Sequence, residues 1–413
     1  MATTIGAFGA LFAATFIFLT GSGLLSTLLS TRMAMEGFSS TTAGIVMSCY
    51  FSGLLIGSFV CHRLIQHVGH IRAFTVFAAT ATAVILLHGL YLSAWFWAVL
   101  RFLSGIVTFG MFMVIESWLN ECTASHLRGR VFSIYMTLTY LGIGIGQQLL
   151  NIGDIRSNEL FILTGVIFSL CMVPVSATEG VHPSLPETKP YHFFAIFRKS
   201  PLGMLGCMAA GLCNSAFYAL TPVLCNRIGM SLHQLSWIMS ITVFCGLAAQ
   251  WVVGSISDRF DRTMVLGVIS TAIAIFSALI FISRQTTFVT IFLQMGLFGM
   301  MMFAVYPVSV ARAHDVFGGQ DAVAVSAGLL FAYSIGASLS PIAASTIMTL
   351  SGTPLGLFAF WCLVNGGLAV ATIYLRKREK IEIVPVEDQV AFVPMKSTSP
   401  VAMTLDPRAD YEE

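Results

Sequence analysis

The chain is a succession of long apolar runs separated by short polar or turn-rich segments. A helix needs roughly 17–25 residues to cross the hydrocarbon of a bilayer, and the runs have that length. Twelve spans are predicted, at residues 7–29, 43–60, 74–92, 94–119, 131–152, 160–175, 202–224, 235–256, 264–282, 288–310, 324–350 and 355–375. They fill the whole length, which predicts an all-α polytopic membrane protein with twelve transmembrane helices. No Lys or Arg precedes Arg32, so the first run lacks the basic start of a cleaved signal peptide and is expected to stay as a span.

Two segments interrupt the pattern. Residues 177–201 contain Pro183, Pro186 and Pro190, then a short amphipathic piece ending in Arg198-Lys199; this reads as a cytoplasmic linker lying on the membrane surface. Residues 376–413 open with Arg376-Lys377-Arg378 and then turn acidic and Pro-containing, which predicts a disordered cytoplasmic tail. What remains is a six-span bundle at 1–176 and a second at 202–375. The halves repeat: His62-Arg63-Leu64 to His70 after span 2 is answered 192 residues later by Gly254 to Arg262 after span 8. Likewise Tyr140-Leu141-Gly142 in span 5 is echoed by Tyr333 to Gly336 in span 11, at an offset of 193 to 194, so the bundles are expected to be pseudo-symmetric.

Basic residues near span ends are retained on the cytoplasmic side. With the N-terminus inside, ten of them fall inside against four outside before the tail is counted, so both termini are expected to be cytoplasmic and the protein multi-pass in the cell inner membrane. Composition narrows the class further. A mean hydropathy of +0.85, with 56% hydrophobic and 10% charged residues, excludes a water-soluble globule. The net charge of +2 leaves no nucleic-acid footprint. Nine cysteines stand singly with no C-x-x-C pair and read as packing residues, so no metal or other cofactor is expected. Neither G-x-x-x-x-G-K-[ST], G-x-S-x-G nor H-E-x-x-H occurs, which argues against ATP-driven transport and against an enzyme.

Few ionisable groups enter the spans. Arg101 sits about 10 Å deep in span 4, where a guanidinium is costly unless it faces protein or a wet cavity. It is either a substrate-binding cation or a structural one that snorkels past Trp95 and Trp97. Glu116 is the carboxylate well inside a span, about 22 Å from Arg101 along the helix. Two readings stay open for it: a proton carrier, or a gate strut paired with Arg72 or Arg128. Glu121, at the membrane edge, reads as a strut. Adding the repeat offset to Arg101 lands on Gln294, so the symmetry-related position is polar too.

Gly254, Asp258, Arg259 and Arg262 match the signature G-x-x-x-D-R-x-G-R, with Asp261 in place of its second glycine; the first copy is degraded, with Gln66 and His67 where the motif has Asp and Arg. Together with Arg101 and Gly105 in span 4, Arg128-Gly129-Arg130 after it and the Gly-rich spans 5 and 11, these residues resemble the major facilitator superfamily of secondary transporters over roughly residues 7 to 376. Ser48 to Gly53, Val114 to Ser117 and Tyr306-Pro307-Val308 are most similar to its bacterial YcaD-type branch. The resemblance implies a mid-membrane cavity between two six-helix bundles, lined by spans 1, 4, 7 and 10 with 2, 5, 8 and 11 beside them. That singles out Ser26, Gln147, Asn214, Tyr218 and Gln294 with Arg101 as substrate-binding residues, and demotes His88 and Asn365 to packing. It also implies a gating role for Gly254, Asp258, Arg259 and Arg262, with Glu121, Arg128 and Arg72.

The function expected is secondary active transport of a small organic solute by alternating access, coupled to protons, by a monomer embedded in lipid. The alternative is a non-transporting membrane receptor or sensor that keeps the fold, for which the degraded first signature is the hint.

Overall fold

Apolar runs of this length cannot leave backbone amides unpaired in hydrocarbon, and helix satisfies every one of them within the segment. The computed structural model describes residues 2–123, 127–177, 193–317, 322–378, 389 and 392–399. Among these residues lie fourteen α-helices and no strand: α1 (Ala2–Met35), α2 (Ser40–Val68), α3 (His70–Leu90), α4 (Ala94–Cys122), α5 (Arg128–Gln148), α6 (Glu159–Leu170), α7 (Met172–Ser176), α8 (Phe193–Lys199), α9 (Pro201–Arg227), α10 (Leu232–Ser257), α11 (Arg262–Ser283), α12 (Phe288–Phe317), α13 (Ala322–Leu350) and α14 (Gly356–Arg378).

Eleven segments are long and apolar enough to cross a membrane, α6 and α7 together forming one of them. The twelfth crossing-length helix is α5, whose Arg128-Gly129-Arg130 start, three further glycines and terminal Gln147-Gln148 lower its apolarity. Twelve segments thus correspond to the twelve predicted spans. Several helices outrun the span they contain: α2 continues past residue 60 to Val68, and stops only where Gly69 adopts a φ of +83°. Span 6 is broken between α6 and α7, where Pro174 lacks the N–H that would bond the Leu170 carbonyl.

The two halves pack by the same pairwise scheme. In the first, α1 lies on α5 and α6, α2 on α4, and α3 on α4 and α6; in the second, α9 lies on α13 and α14, α10 on α12, and α11 on α12 and α14. Close approach is set by small residues, because apolar burial gives helices in lipid no driving force. At the α2–α4 crossing Gly53 faces the Phe102 carbonyl and Gly105 the Tyr50 carbonyl; at the α9–α13 crossing Gly211 faces the Tyr333 carbonyl and Gly336 that of Met208. A Cβ at any of the four would meet backbone, which cannot rotate away. Gly53→Val and Gly336→Val are each expected to cost about 1–3 kcal/mol or more, read as a lower thermal midpoint of the purified protein. Gly367→Ala, whose Cβ would meet nothing within 4 Å, should leave the midpoint unchanged.

Across the bundles, α1 meets α9, α2 meets α13 and α5 meets α10. The side of the molecule bearing the α2–α3 and α10–α11 turns is here called the signature face. On the opposite face the bundles are tied together by polar bonds: Gln148 Nε2 donates to Ser240 Oγ at 2.7 Å, Asn151 Nδ2 to Ser236 Oγ at 2.8 Å, and Ser240 Oγ to the Gly144 carbonyl at 2.8 Å. Gly44 of α2 presses on Pro341 and Ser345 of α13 at the same end.

The linker prolines Pro183, Pro186 and Pro190 lie outside the described residues. The amphipathic piece forms α8, with Phe193 packed edge-on against Phe331 of α13 and Phe194 exposed. Of the segment expected to be a disordered tail, residues 379–388, 390–391 and 400–413 lie outside the described residues, and only 389 and 392–399 are described beyond α14. Residues 392–399 have no regular secondary structure and enter the cleft between the bundles from the signature face, with Val393, Met395, Thr398 and Ser399 buried. Tail composition alone predicts solvation; the apolar cover that Phe392, Val393 and Met395 find exists only once both bundles are assembled.

Candidate functional site

Near mid-span lies an internal cavity of about 110 Å³. Its polar lining is Ser22 and Ser26 of α1, Tyr50 of α2, Arg101, Ser104 and Thr108 of α4, Tyr218 of α9, Tyr333 of α13, and Lys396 and Ser397 of the tail; the rest is apolar. Arg101 is only 2% exposed. Its guanidinium carbon stands 4.2 Å from the centre of the Tyr50 ring, a cation–π contact. Its Nε has no hydrogen-bond partner among the described residues, and no carboxylate lines the cavity. A buried cation with an open donor beside hydroxyls from both bundles can recognise an anionic or strongly hydrogen-bond-accepting group.

The structure brings together some of the expected binding residues and separates others. Arg101, Ser26 and Tyr218 line the cavity. Asn214 is one shell out, donating from Nδ2 to the Tyr333 hydroxyl at 3.4 Å. Gln147 faces α1, where its Oε1 accepts from the Thr27 hydroxyl, and Gln294 does not reach the lining. His88 bonds the Val84 carbonyl of its own helix at 2.8 Å, and Asn365 the Trp361 carbonyl at 3.0 Å. Ser22, Tyr50, Ser104, Thr108, Tyr333, Lys396 and Ser397 are polar lining residues not among the expected binding residues. The echo of Tyr140 and Tyr333 at the repeat offset was the available signal for Tyr333, since both rings border the cleft.

Glu116 is fully buried on α4 nearer the signature face. It accepts from the Tyr135 hydroxyl of α5 at 2.7 Å, and its other oxygen accepts from the Ser399 hydroxyl of the tail. No cationic partner stands on it among the described residues. Arg72 and Glu121 are exposed, and Arg128 is half-buried at the start of α5. The second signature forms a charge cluster within its own bundle: Arg262 Nη1 meets Asp315 of α12 at 2.7 Å and Nη2 meets Asp258 at 3.0 Å, while Arg376 of α14 pairs with Asp261 at 3.4 Å. Arg259 is exposed. Asp258 also accepts the Phe392 N–H at 2.9 Å, and the bare backbone at Gly254 gives room for the Phe392 ring.

Comparison with known proteins agrees with this architecture. The family model of the Major Facilitator Superfamily matches residues 11–232 and again 204–404. An uncharacterized MFS-type transporter of Yersinia pestis is 28% identical over 339 residues, covering 80% of this chain and 86% of its own. The uncharacterized MFS-type transporter YcaD of Salmonella newport is 28% identical over 333 residues, covering 79% and 84%. Among solved structures, the nucleoside transporter NupG superposes with a TM-score of 0.71 at 13% identity over 92% of this chain and 100% of that one. A D-xylose-proton symporter does so at 0.67 and 14% over 94% and 98%. With two halves packed alike, a cavity between them and a family match over nearly the whole length, the chain belongs to the Major Facilitator Superfamily.

Proposed function

We propose that this transporter-family chain moves a small organic solute bearing an anionic or zwitterionic group across the cytoplasmic membrane by alternating access, with Arg101 as the binding cation and Glu116 as the proton-coupling carboxylate. The observation that carries the reading is Arg101 itself: a guanidinium is expensive at this depth, and it stands at a cavity with one donor unpartnered. Glu116 supports the coupling, being buried among hydroxyls that serve it as an ion or as an acid. A solved structure of the same fold is of a proton symporter, which supports it further. The signature face is the cytoplasmic one in this reading, and the carrier rests open toward it.

Gating follows from the signature residues. Asp258 and Arg259 supply an acid and a base at the second-half turn, whereas Gln66 and His67, both exposed, stand at the corresponding first-half positions. Asp258→Asn is expected to favour the cytoplasm-open form and Gln66→Asp the outward-open one. Cytoplasmic labelling of an engineered cysteine in the cleft should rise in the first and fall in the second; equal labelling in both variants and the parent rules the gate assignment out. For transport itself, purified protein is to be screened by thermal shift against metabolites, vitamins, siderophores and drugs, and each hit tested for flux in proteoliposomes. A stabilising solute that never crosses the bilayer would favour a receptor.

A further inference from the structure

We propose that residues 392–399 are a built-in ligand of the cytoplasmic vestibule, a tail wedge that occupies the solute route and props the inner gate apart. This rests on the reading that the cavity is that route.

The segment makes a re-entrant loop whose two arms lie on different bundles. The incoming arm follows the second bundle: the Phe392 N–H bonds Asp258, and its ring sits on the bare backbone of Gly254. The tip reaches the cavity, where the Lys396 amine stands 5.8 Å from the ring of Tyr140 in α5 and 5.8 Å from that of Tyr218 in α9. Ser397, at the bend, lies beside the Tyr333 hydroxyl. The outgoing arm crosses to the first bundle, where the Ser399 hydroxyl bonds Glu116. Met395 and Val393 are buried.

Three consequences follow from these contacts. Lys396 and Ser397 share the lining of the cavity with Arg101, so a solute large enough to need that volume competes with the tip. Ser399 takes up one carboxylate oxygen of Glu116, the group proposed to exchange protons. Asp258 and Gly254 belong to the signature that works the gate, and while they hold Phe392 the two bundles have eight residues of peptide between them on that side. Solute entry and closure are blocked together, and both need the tail to leave.

The test uses cavity access, which needs no knowledge of the solute. Ser104→Cys, on the cavity wall, is placed in a parent whose nine cysteines are replaced, and inside-out vesicles are treated with the impermeant reagent sulfonatoethyl methanethiosulfonate. Labelling in the full chain is expected to be at least ten-fold slower than in a chain ending at Arg378. The full-length Phe392→Asp/Met395→Asp variant should match the truncated chain, which separates loss of docking from any effect of shortening. Equal rates in all three, or acceleration in the truncation alone, overturn the wedge. Acceleration in both leaves the wedge standing, and if a solute that stabilises the protein in the thermal-shift screen then crosses the bilayer with neither variant, the transport reading is refuted instead.

Discussion

Arg101→Ala is expected to weaken solute binding by about 2–5 kcal/mol, roughly 30-fold to several-thousand-fold, because truncating one partner of a buried charged pair leaves the other desolvated and alone. Arg101→Lys should recover part of this: it keeps the charge but loses the planar fork and the stacking on Tyr50. The stability readout separates a binding role from a structural one. A cation held at this depth with an open donor is a cost to the fold, so its removal should leave the thermal midpoint of the solute-free protein unchanged or raised. A lowered midpoint with unchanged affinity makes Arg101 a structural residue. Binding to proteoliposomes, measured for whichever solute the screen finds, decides between the two.

Glu116→Gln is expected to abolish uphill accumulation while leaving exchange of solute between the two sides intact. Glutamine copies the shape of the protonated acid, and its oxygen still accepts from Tyr135, so packing on α5 survives while the exchangeable charge is lost. Loading or unloading that charge biases the inward and outward states by its differential free energy in the two. Each elementary charge carried through the field is also worth about 2.3 kcal/mol per 100 mV, so the variant should lose its response to an imposed pH gradient. Uphill uptake, exchange and affinity are to be measured separately. Accumulation against a gradient with unaltered pH dependence would return Glu116 to the role of a gate strut.

Much of the fold was legible because lipid imposes a simple code: runs of about 20 apolar residues, and a repeat offset carried by recognisable turns. Helix ends were not. Hydropathy reports where the apolar run stops, but α2 runs on through His62 and Arg63 until Gly69 turns it. In the site, Arg101 and Tyr218 were readable as polar groups in cavity-lining spans, whereas Gln147 was not separable from them, since which side of α5 meets α1 is decided by glycine contacts such as that of Gly146 with the Thr20 carbonyl. The tail was least legible. Its burial depends on a cleft assembled from helices far apart in the chain, and four residues, Phe392-Val393-Pro394-Met395, are too few to register in any window long enough to find a span.

The tail's geometry also sets a concentration scale. Arg376 pairs with Asp261 and Phe392 bonds Asp258, so fifteen residues of sequence, 377–391, separate two contacts made on one turn. A ligand joined to its site through a short linker is presented at an effective concentration on the order of 1 mM. If the docked segment had an intrinsic dissociation constant of about 0.1 mM, a solute would meet an apparent affinity roughly ten-fold weaker than its own. The carrier would then stand idle at trace supply and engage only above a threshold, and lengthening the tether would lower that threshold without touching a single residue that contacts the solute.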